Sequence, residues 1–187
     1  MIDTREKKGP RVNRIPEGDN MERLVCPDCG FVQYDNPKIV VGAVVTWQNR
    51  ILLCRRNIHP RKGYWTIPAG YLELHETPVD GARREAMEEA NADLDIDRPL
   101  AIYSIPRISQ IQILYRATLI GGAHHPGPES QETALFDWEE IPWTDLAFPS
   151  VKWVLNQHRS VRDIDDFAPF SNPEGETGDY NRDEPIV

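Results

Sequence analysis

Cysteine is scarce in this sequence. Cys26, Cys29 and Cys54 are the only three in 187 residues. An odd count this low cannot build the disulfide framework of a small secreted domain. Without an export signal it points to a reducing compartment, so a cytoplasmic location is expected. Long apolar runs are missing as well, and none approaches the ~18 residues that a membrane span needs. The opening stretch Met1–Lys8 has no apolar centre and is not expected to act as a signal peptide. Positive charge is in deficit: 21 Lys and Arg face 30 Asp and Glu, for a net charge of -9. Between Asp163 and Val187 lie eight acidic residues and one basic residue, Arg182, which leaves a nearly neutral body of 20 basic and 22 acidic residues. A nucleic-acid or anionic-membrane partner calls for a clustered positive surface, so both are excluded. What is present is 40% hydrophobic residues and five Trp, which excludes a wholly disordered chain. This length suffices for one domain with a substantial core and no covalent staples.

The chain divides by composition into three parts. Residues 1–36 form an arm, polar and extended over 1–20, that carries a tight turn at Cys26-Pro27-Asp28-Cys29-Gly30. Residues 37–162 carry the regular elements, and 163–187 form an acidic tail with little to bury, expected to be flexible. The β-branched run Lys38–Trp47 predicts a buried strand, returned through Gln48-Asn49-Arg50 into Ile51–Cys54. Thr77-Pro78-Val79-Asp80 predicts a helix start: a Thr cap, a Pro at the first position and an acid at the positive dipole end. That helix should run to about Ala90, closed by Asn91 in the left-handed conformation. Strands are expected over 100–105, 111–119 and 135–138, and a last helix over 150–158. Strands and helices intermix without a βαβ rhythm, which predicts an α+β class with a mixed sheet.

The chemistry concentrates between Gly70 and Asn91. Glu85, Glu88 and Glu89 stand three and four residues apart, so one helical face carries all of them. Beside them Val79, Ala82, Ala86 and Ala90 make a stripe that can pack on a sheet. Like charges at such spacing repel. A solvated acidic face tolerates this, and a divalent cation offsets it, since hard cations take carboxylate oxygens. Arg84, four residues before Glu88, can orient these carboxylates through its fork of donors.

Gly70, five residues, Glu76, seven residues, Arg84-Glu85, two residues, Glu88-Glu89: this pattern resembles the signature box of the Nudix hydrolases, with all six positions in register. Asn91 replaces the usual Gly after the acidic pair, and Ala86 and Ala92 stand where larger aliphatics are usual. The resemblance runs from about Cys26 to Phe148 and is nearest to the branch in which a small zinc ribbon precedes the domain, a branch that includes FAD, NADH and ADP-ribose pyrophosphohydrolases. It implies an α/β/α sandwich around a mixed sheet over residues 37–162. It also implies Mg²⁺- or Mn²⁺-dependent hydrolysis of the pyrophosphate bond in a nucleoside diphosphate linked to another moiety, and often a homodimer.

Position by position, the resemblance makes Glu85, Glu88 and Glu89 metal ligands, joined by the Gly70 carbonyl. Glu76 and Arg84 would tie loop to helix. A further acid is expected on a loop after the central strands, and Glu132 is the candidate extra ligand or general base. The catalytic set is thus Glu85, Glu88, Glu132 and Arg84. For the substrate, Arg56 with Arg55, Arg61 and Lys62 are candidates for phosphate, and Trp65, Tyr64 and Tyr71 for stacking on a base. Gln110 and Arg107 are expected at the cleft edge, whereas His59 and His75 are read as solvent-facing.

Cys26-x-x-Cys29 has the form of one zinc knuckle. A structural Zn²⁺ takes four ligands, and Arg5–Pro10, where the branch carries its other knuckle, has neither Cys nor His. Zinc is therefore not expected in a single chain. The turn persists on backbone hydrogen bonds, or two subunits share a site. Two other readings stand against hydrolysis: a nucleotide-binding Nudix sensor, which has no need of all three glutamates, and a zinc module for nucleic acid, which lacks its basic patch.

Overall fold

The computed structural model describes residues 9–178. The ends of the predicted arm and tail, 1–8 and 179–187, lie outside the described residues. Two compact units divide at Asn36/Pro37.

The first unit is a three-stranded antiparallel ribbon of β1 (Val12–Arg14), β2 (Arg23–Val25) and β3 (Val32–Gln33). The polar arm is thus extended, as expected, but paired: Val12 lies opposite Val25. Between β2 and β3 the Cys26–Gly30 turn is closed by Cys26 N–H on the Phe31 carbonyl (2.8 Å) and Gly30 N–H on the Cys26 carbonyl (2.9 Å). Gly30 has φ of +75°, where a side chain would be strained. Arg11 pairs with Asp28 of the turn at 2.8 Å.

The second unit is built on a seven-stranded sheet of β4 (Lys38–Trp47), β5 (Arg50–Arg56), β6 (Trp65–Thr66), β7 (Ala69–Tyr71), β8 (Leu94–Ile105), β9 (Gln110–Leu119) and β10 (Ser130–Phe136). The main order is β10-β5-β4-β9-β8. The β4–β9 pair is parallel and the others are antiparallel, so the sheet is mixed. Alternation along β4 feeds two cores. Val41, Ala43 and Val45 face α1 (Pro78–Ala90) through Ala82, Ala86 and Ala90. Val44 faces α2 (Pro149–Val161) through Val151, Val154 and Leu155. The result is an α/β/α sandwich. Among the described residues no helix is long and apolar enough to cross a membrane.

Three departures from the sequence reading have physical causes. β8 begins at Leu94, not 100, because β9 pairs with it around irregularities near Asp97 and Pro99 that break the alternation. β10 begins at Ser130, inside the Gly/Pro-rich stretch, since pairing with β5 supplies what propensity does not. The tail is not loose from Phe170 to Gly178: Phe170 N–H donates to Leu100 O (2.9 Å), and Ile102 N–H to Phe170 O (2.8 Å).

The site depends on one irregularity of the sheet. β4 and β5 pair only next to their turn, at Thr46–Ile51 and Trp47–Arg50, and then diverge. Short β6 and β7 pair with β5 and β4 respectively. Side chains of α1 beside β7 thereby reach a cleft whose floor is the α2-facing side of β4 and β9, at Val40, Gln112 and Leu114.

Candidate active site

Local sequence places the acidic residues. Thr77 caps α1 by accepting from Asp80 N–H at 3.2 Å, and Asn91 closes the helix with φ of 46°, its N–H directed at the Ala86 and Met87 carbonyls. Asn91 thus supplies the left-handed turn that the departure from Gly put in question. The loop from β7 into α1 is fixed by Arg84, whose five donors are all engaged. Nε and one terminal nitrogen reach Glu76 at 3.0 and 2.8 Å, and that nitrogen also reaches the Tyr71 carbonyl at 2.9 Å. The other terminal nitrogen reaches Glu85 at 2.7 Å and Glu88 at 3.0 Å. The guanidinium holds the Glu76 carboxyl down at about 2, helped by Glu73 N–H.

Glu85 and Glu89 are buried, at 8% and 6% exposure, while Glu88 is exposed. Burial raises the Glu85 carboxyl against the pull of Arg84. Burial pushes Glu89 up to about 8; the Ala69 N–H, which donates to its Oε2 at 3.0 Å, offsets only part of this, and the Glu85 charge adds to it. Gly70 forms the opposite wall, where a Cβ would sit 2.3 to 2.5 Å from the Glu85 carboxylate. A side chain there would displace the Glu85 carboxylate from this position.

These groups line a cleft of about 870 Å³. Gly70, Arg84, Glu85, Glu88 and Glu89 stand at one pole, and Arg56, Arg61, Arg107, Tyr71 and Gln110 also line it. Arg56 is buried on β5, with its Nε on the Pro60 carbonyl (2.9 Å) and its guanidinium 5.2 Å from the Phe148 ring centre. Tyr71 is half exposed, with the Lys38 ammonium 5.3 Å from its ring centre. His59, read as solvent-facing, is exposed and also borders the cleft.

Other expected residues stand elsewhere. Glu132 points away from the cleft and pairs with Arg55 at 3.7 Å, because it sits opposite Arg55 in the β10–β5 register. Trp65 packs edge-on against Phe136, with centroids 4.9 Å apart, beside the α2-side core, and is not among the residues that line the cleft. The Arg61 guanidinium lies 5.0 Å from the Tyr64 ring centre. The acid that does line the cleft is Glu129, three residues before Glu132. The preceding loop docks on the end of α1: Gly127 N–H donates to Glu89 O at 3.0 Å, and a Cβ on Gly127 would lie 1.7 Å from Glu88 O. Such an approach requires glycine; Gly127 beside Pro128 marks a turn in the sequence but not where that turn docks. The Glu129 charge is felt by both Glu85 and Glu89.

Two metals are implied and fit differently. At the cleft, two buried carboxylates whose ionisation is disfavoured, beside a glycine wall and a third acid, suit a hard divalent cation. In the described residues no three such groups converge on one point as they stand, since Arg84 engages Glu85 and Glu88 while Glu89 turns to Ala69 N–H. At the ribbon, Cys26 and Cys29 are the only Cys or His within residues 1–36. The N–H groups of Cys29 and Asp28 lower the Cys26 thiol, but two sulfurs do not make a closed tetrahedral zinc site.

Comparison with known proteins agrees with this geometry. Residues 36–157 match the family model for the NUDIX domain, and residues 8–35 match that for the Nudix N-terminal zinc ribbon. An ADP-ribose pyrophosphatase of Methanocaldococcus jannaschii is 31% identical over 130 residues, covering 67% of this chain and 76% of the relative. A NAD-capped RNA hydrolase NudC of Vibrio atlanticus is 30% identical over 128 residues, 66% of this chain, but the match spans only 46% of that longer protein. The crystal structure of a NUDIX hydrolase from Nitrosomonas europaea superposes with a TM-score of 0.82 at 43% identity, covering 89% of this chain and 96% of that one.

Proposed function

The chain belongs to the NUDIX family and is a pyrophosphohydrolase of that family, and we propose that it cleaves the diphosphate of a nucleoside diphosphate joined to a second moiety, with ADP-ribose the first substrate to test and FAD or NADH the next. One observation carries this reading: Glu85, Glu88, Glu89 and Glu129 share one cleft with Arg56 and Arg61. An acidic pole and basic side chains in one site suit a cation together with a diphosphate.

In this reading Glu85, Glu88, Glu89 and the Gly70 carbonyl would hold Mg²⁺ or Mn²⁺. Such an ion would supply charge neutralisation for the diphosphate and acidify the attacking water. Arg56 and Arg61 take the phosphate oxygens. A Glu129 carboxylate oxygen accepts the proton of the attacking water, the role expected of Glu132. Arg84 is a positioning residue that keeps Glu85 and Glu88 on the cleft side of α1 through its grip on Glu76. Tyr71 and Gln110 face the substrate along the cleft.

The test is a substrate panel on the full chain with Mg²⁺, with products resolved. ADP-ribose plus water should give AMP and ribose 5-phosphate, and Glu85→Gln and Glu88→Gln should each lower kcat about a hundredfold or more. Absence of turnover on every dinucleotide of the panel would overturn the reading and favour a nucleotide sensor.

A further inference from the structure

The segment expected to be loose forms a wall of the cleft. Among the described residues β8 ends the sheet, and no named strand pairs with its outer edge. From Phe170 onward the C-terminal segment takes that place. Phe170 bridges Ala101 in parallel. Beyond it, the Asn172 side chain does the work of a strand: its Oδ1 accepts from Ser104 N–H and its Nδ2 donates to Ser104 O, both at 2.9 Å. Nδ2 also donates to Glu176 O (3.0 Å), and Glu176 N–H to Pro173 O (3.0 Å), which closes a turn. That turn delivers Gly178 onto Ile105, so close that a Cβ there would meet Ile105 Cδ1 at 2.5 Å. Gly178 is buried and lines the cleft together with Ile105, Arg107, Ile108 and Gln110.

This wall stands far from the glutamates. Gly70 is on β7, and the path to Ile105 on β8 crosses β4 and β9, three strand spacings of ~4.8 Å, or ~14 Å in all. A diphosphate at the acidic pole therefore leaves the far end for the nucleoside. That end joins apolar Ile105 and Ile108 to the Gln110 amide, a surface suited to a flat heterocycle with a polar edge.

We propose that the strap Asn172–Gly178, pinned through Asn172 on Ser104, is the wall that receives the nucleoside half of the substrate, and that Asn172 is a positioning residue for substrate affinity. This rests on the nucleotide reading above. It assigns to the chain's C-terminal segment a share in substrate recognition and none in bond cleavage.

The experiment compares the full chain with a chain ending at Pro173, which keeps Phe167 and Phe170 on the core, and with Asn172→Ala and Asn172→Asp. KM and kcat for ADP-ribose with Mg²⁺ are measured, together with the Kd of ADP by calorimetry. The shortened chain and Asn172→Ala should raise KM and the ADP Kd about tenfold with kcat within about twofold. Asn172→Asp, which keeps the acceptor for Ser104 N–H, should fall between. Neutralising Glu174, Glu176, Asp179, Asp183 and Glu184 together in the full chain, as Gln or Asn, should change neither constant, which separates the wall from the acidic charge lost on shortening. Unchanged ADP affinity in the shortened chain and in Asn172→Ala overturns the proposal. So does an equal effect from neutralisation alone, or a fall in kcat at constant KM. Should the shortened chain fail to fold, Asn172→Ala decides alone. If the full chain binds ADP without cleaving ADP-ribose, the hydrolase reading fails and the strap is still judged by ADP affinity. No ADP binding by the full chain overturns the strap.

Discussion

Replacing Glu89 with Gln should stabilise the metal-free protein at neutral and alkaline pH while abolishing its activity. Glu89 is 6% exposed, and burial raises its carboxyl from an ordinary 4.5 to about 8. Below pH 4.5 the group is protonated in both folded and unfolded chains, so its titration contributes no difference. Between 4.5 and 8 the unfolded chain releases the proton and the folded chain retains it, so the wild type loses ~1.4 kcal/mol of stability per pH unit. Above pH 8 the loss is complete, at about 5 kcal/mol, an upper bound that relaxation around the site reduces. Gln does not ionise, and its carbonyl can keep the bond from Ala69 N–H. Urea unfolding of both proteins in EDTA, from pH 4.5 to 8.5, should therefore give curves that diverge with rising pH in favour of Glu89→Gln. Titrating groups remote from Glu89 cancel in the comparison; those coupled to its charge, Glu85 above all, do not. Saturating Mg²⁺ should flatten the wild-type curve, because a cation bound to the ionised carboxylate stabilises the folded state. Parallel curves across this range would refute the account of Glu89 as a buried acid awaiting a cation.

Exchanging the two loop acids separates their roles. Glu129→Gln should lower kcat about a hundredfold, whereas Glu132→Gln, exposed beside Arg55, should stay within about twofold of wild type in steady-state assays. His158 on α2 is buried with no partner for Nδ1 among the described residues, and burial, with Arg116 and Arg162 adding to it, depresses its pKa from 6.5 to about 4. As pH falls from 6.5 to 4 the unfolded chain gains a proton that the folded chain refuses. The wild type should lose about 3 kcal/mol over that window relative to His158→Leu, read from unfolding curves. Metal analysis of protein purified without chelator should find no stoichiometric zinc on the monomer. One zinc per two chains would instead identify a ligand set shared between subunits.

Where one local cause fixes the structure, the sequence was legible. The β-branched run of β4, the Thr77 cap and the Asn91 stop each carry their signal in consecutive residues. The spacing of Glu85, Glu88 and Glu89 is likewise a property of the helix alone. Where a distant partner decides, legibility failed. β1 forms because Val12 meets Val25, and the start of β8 exists because β9 pairs with it despite Asp97 and Pro99. Trp65 looked like a stacking residue by its place beside the loop, yet it packs beside Phe136 and does not line the cleft. Choosing between Glu129 and Glu132 required knowing that Gly127 docks on the end of α1, a contact between loop and helix 38 residues apart in sequence, counting from Glu89 to Gly127. The strap was hidden for a related reason. Its grip is a side-chain amide, Asn172 on Ser104, and no hydrophobic pattern announces it.

The glutamates also explain how the site holds together before a cation arrives. Three acids at helical spacing would repel, and each finds separate relief. Glu85 and Glu88 share one nitrogen of Arg84, and Glu89 has Ala69 N–H and a raised affinity for a proton. These reliefs differ in how easily they are released. The Arg84–Glu88 contact is at the surface, where such a pair is worth ~0.3–0.5 kcal/mol, so its loss costs little. Arg84 is anchored independently by its two bonds to Glu76 and one to the Tyr71 carbonyl, so it stays in place when Glu88 turns away. Glu89, by contrast, would have to give up its proton in a buried setting, so on the proposed reading cation affinity should fall steeply below pH 8. On the proposed reading, Arg84 in this arrangement is a scaffold that would leave a cation free to compete for the exposed acid first. It follows that Arg84→Lys, a point charge without the fork, should keep the net charge yet weaken Mg²⁺ binding and lower kcat together. A variant with wild-type Mg²⁺ affinity and kcat would show that charge alone, and not the fork on Glu76, organises the pole.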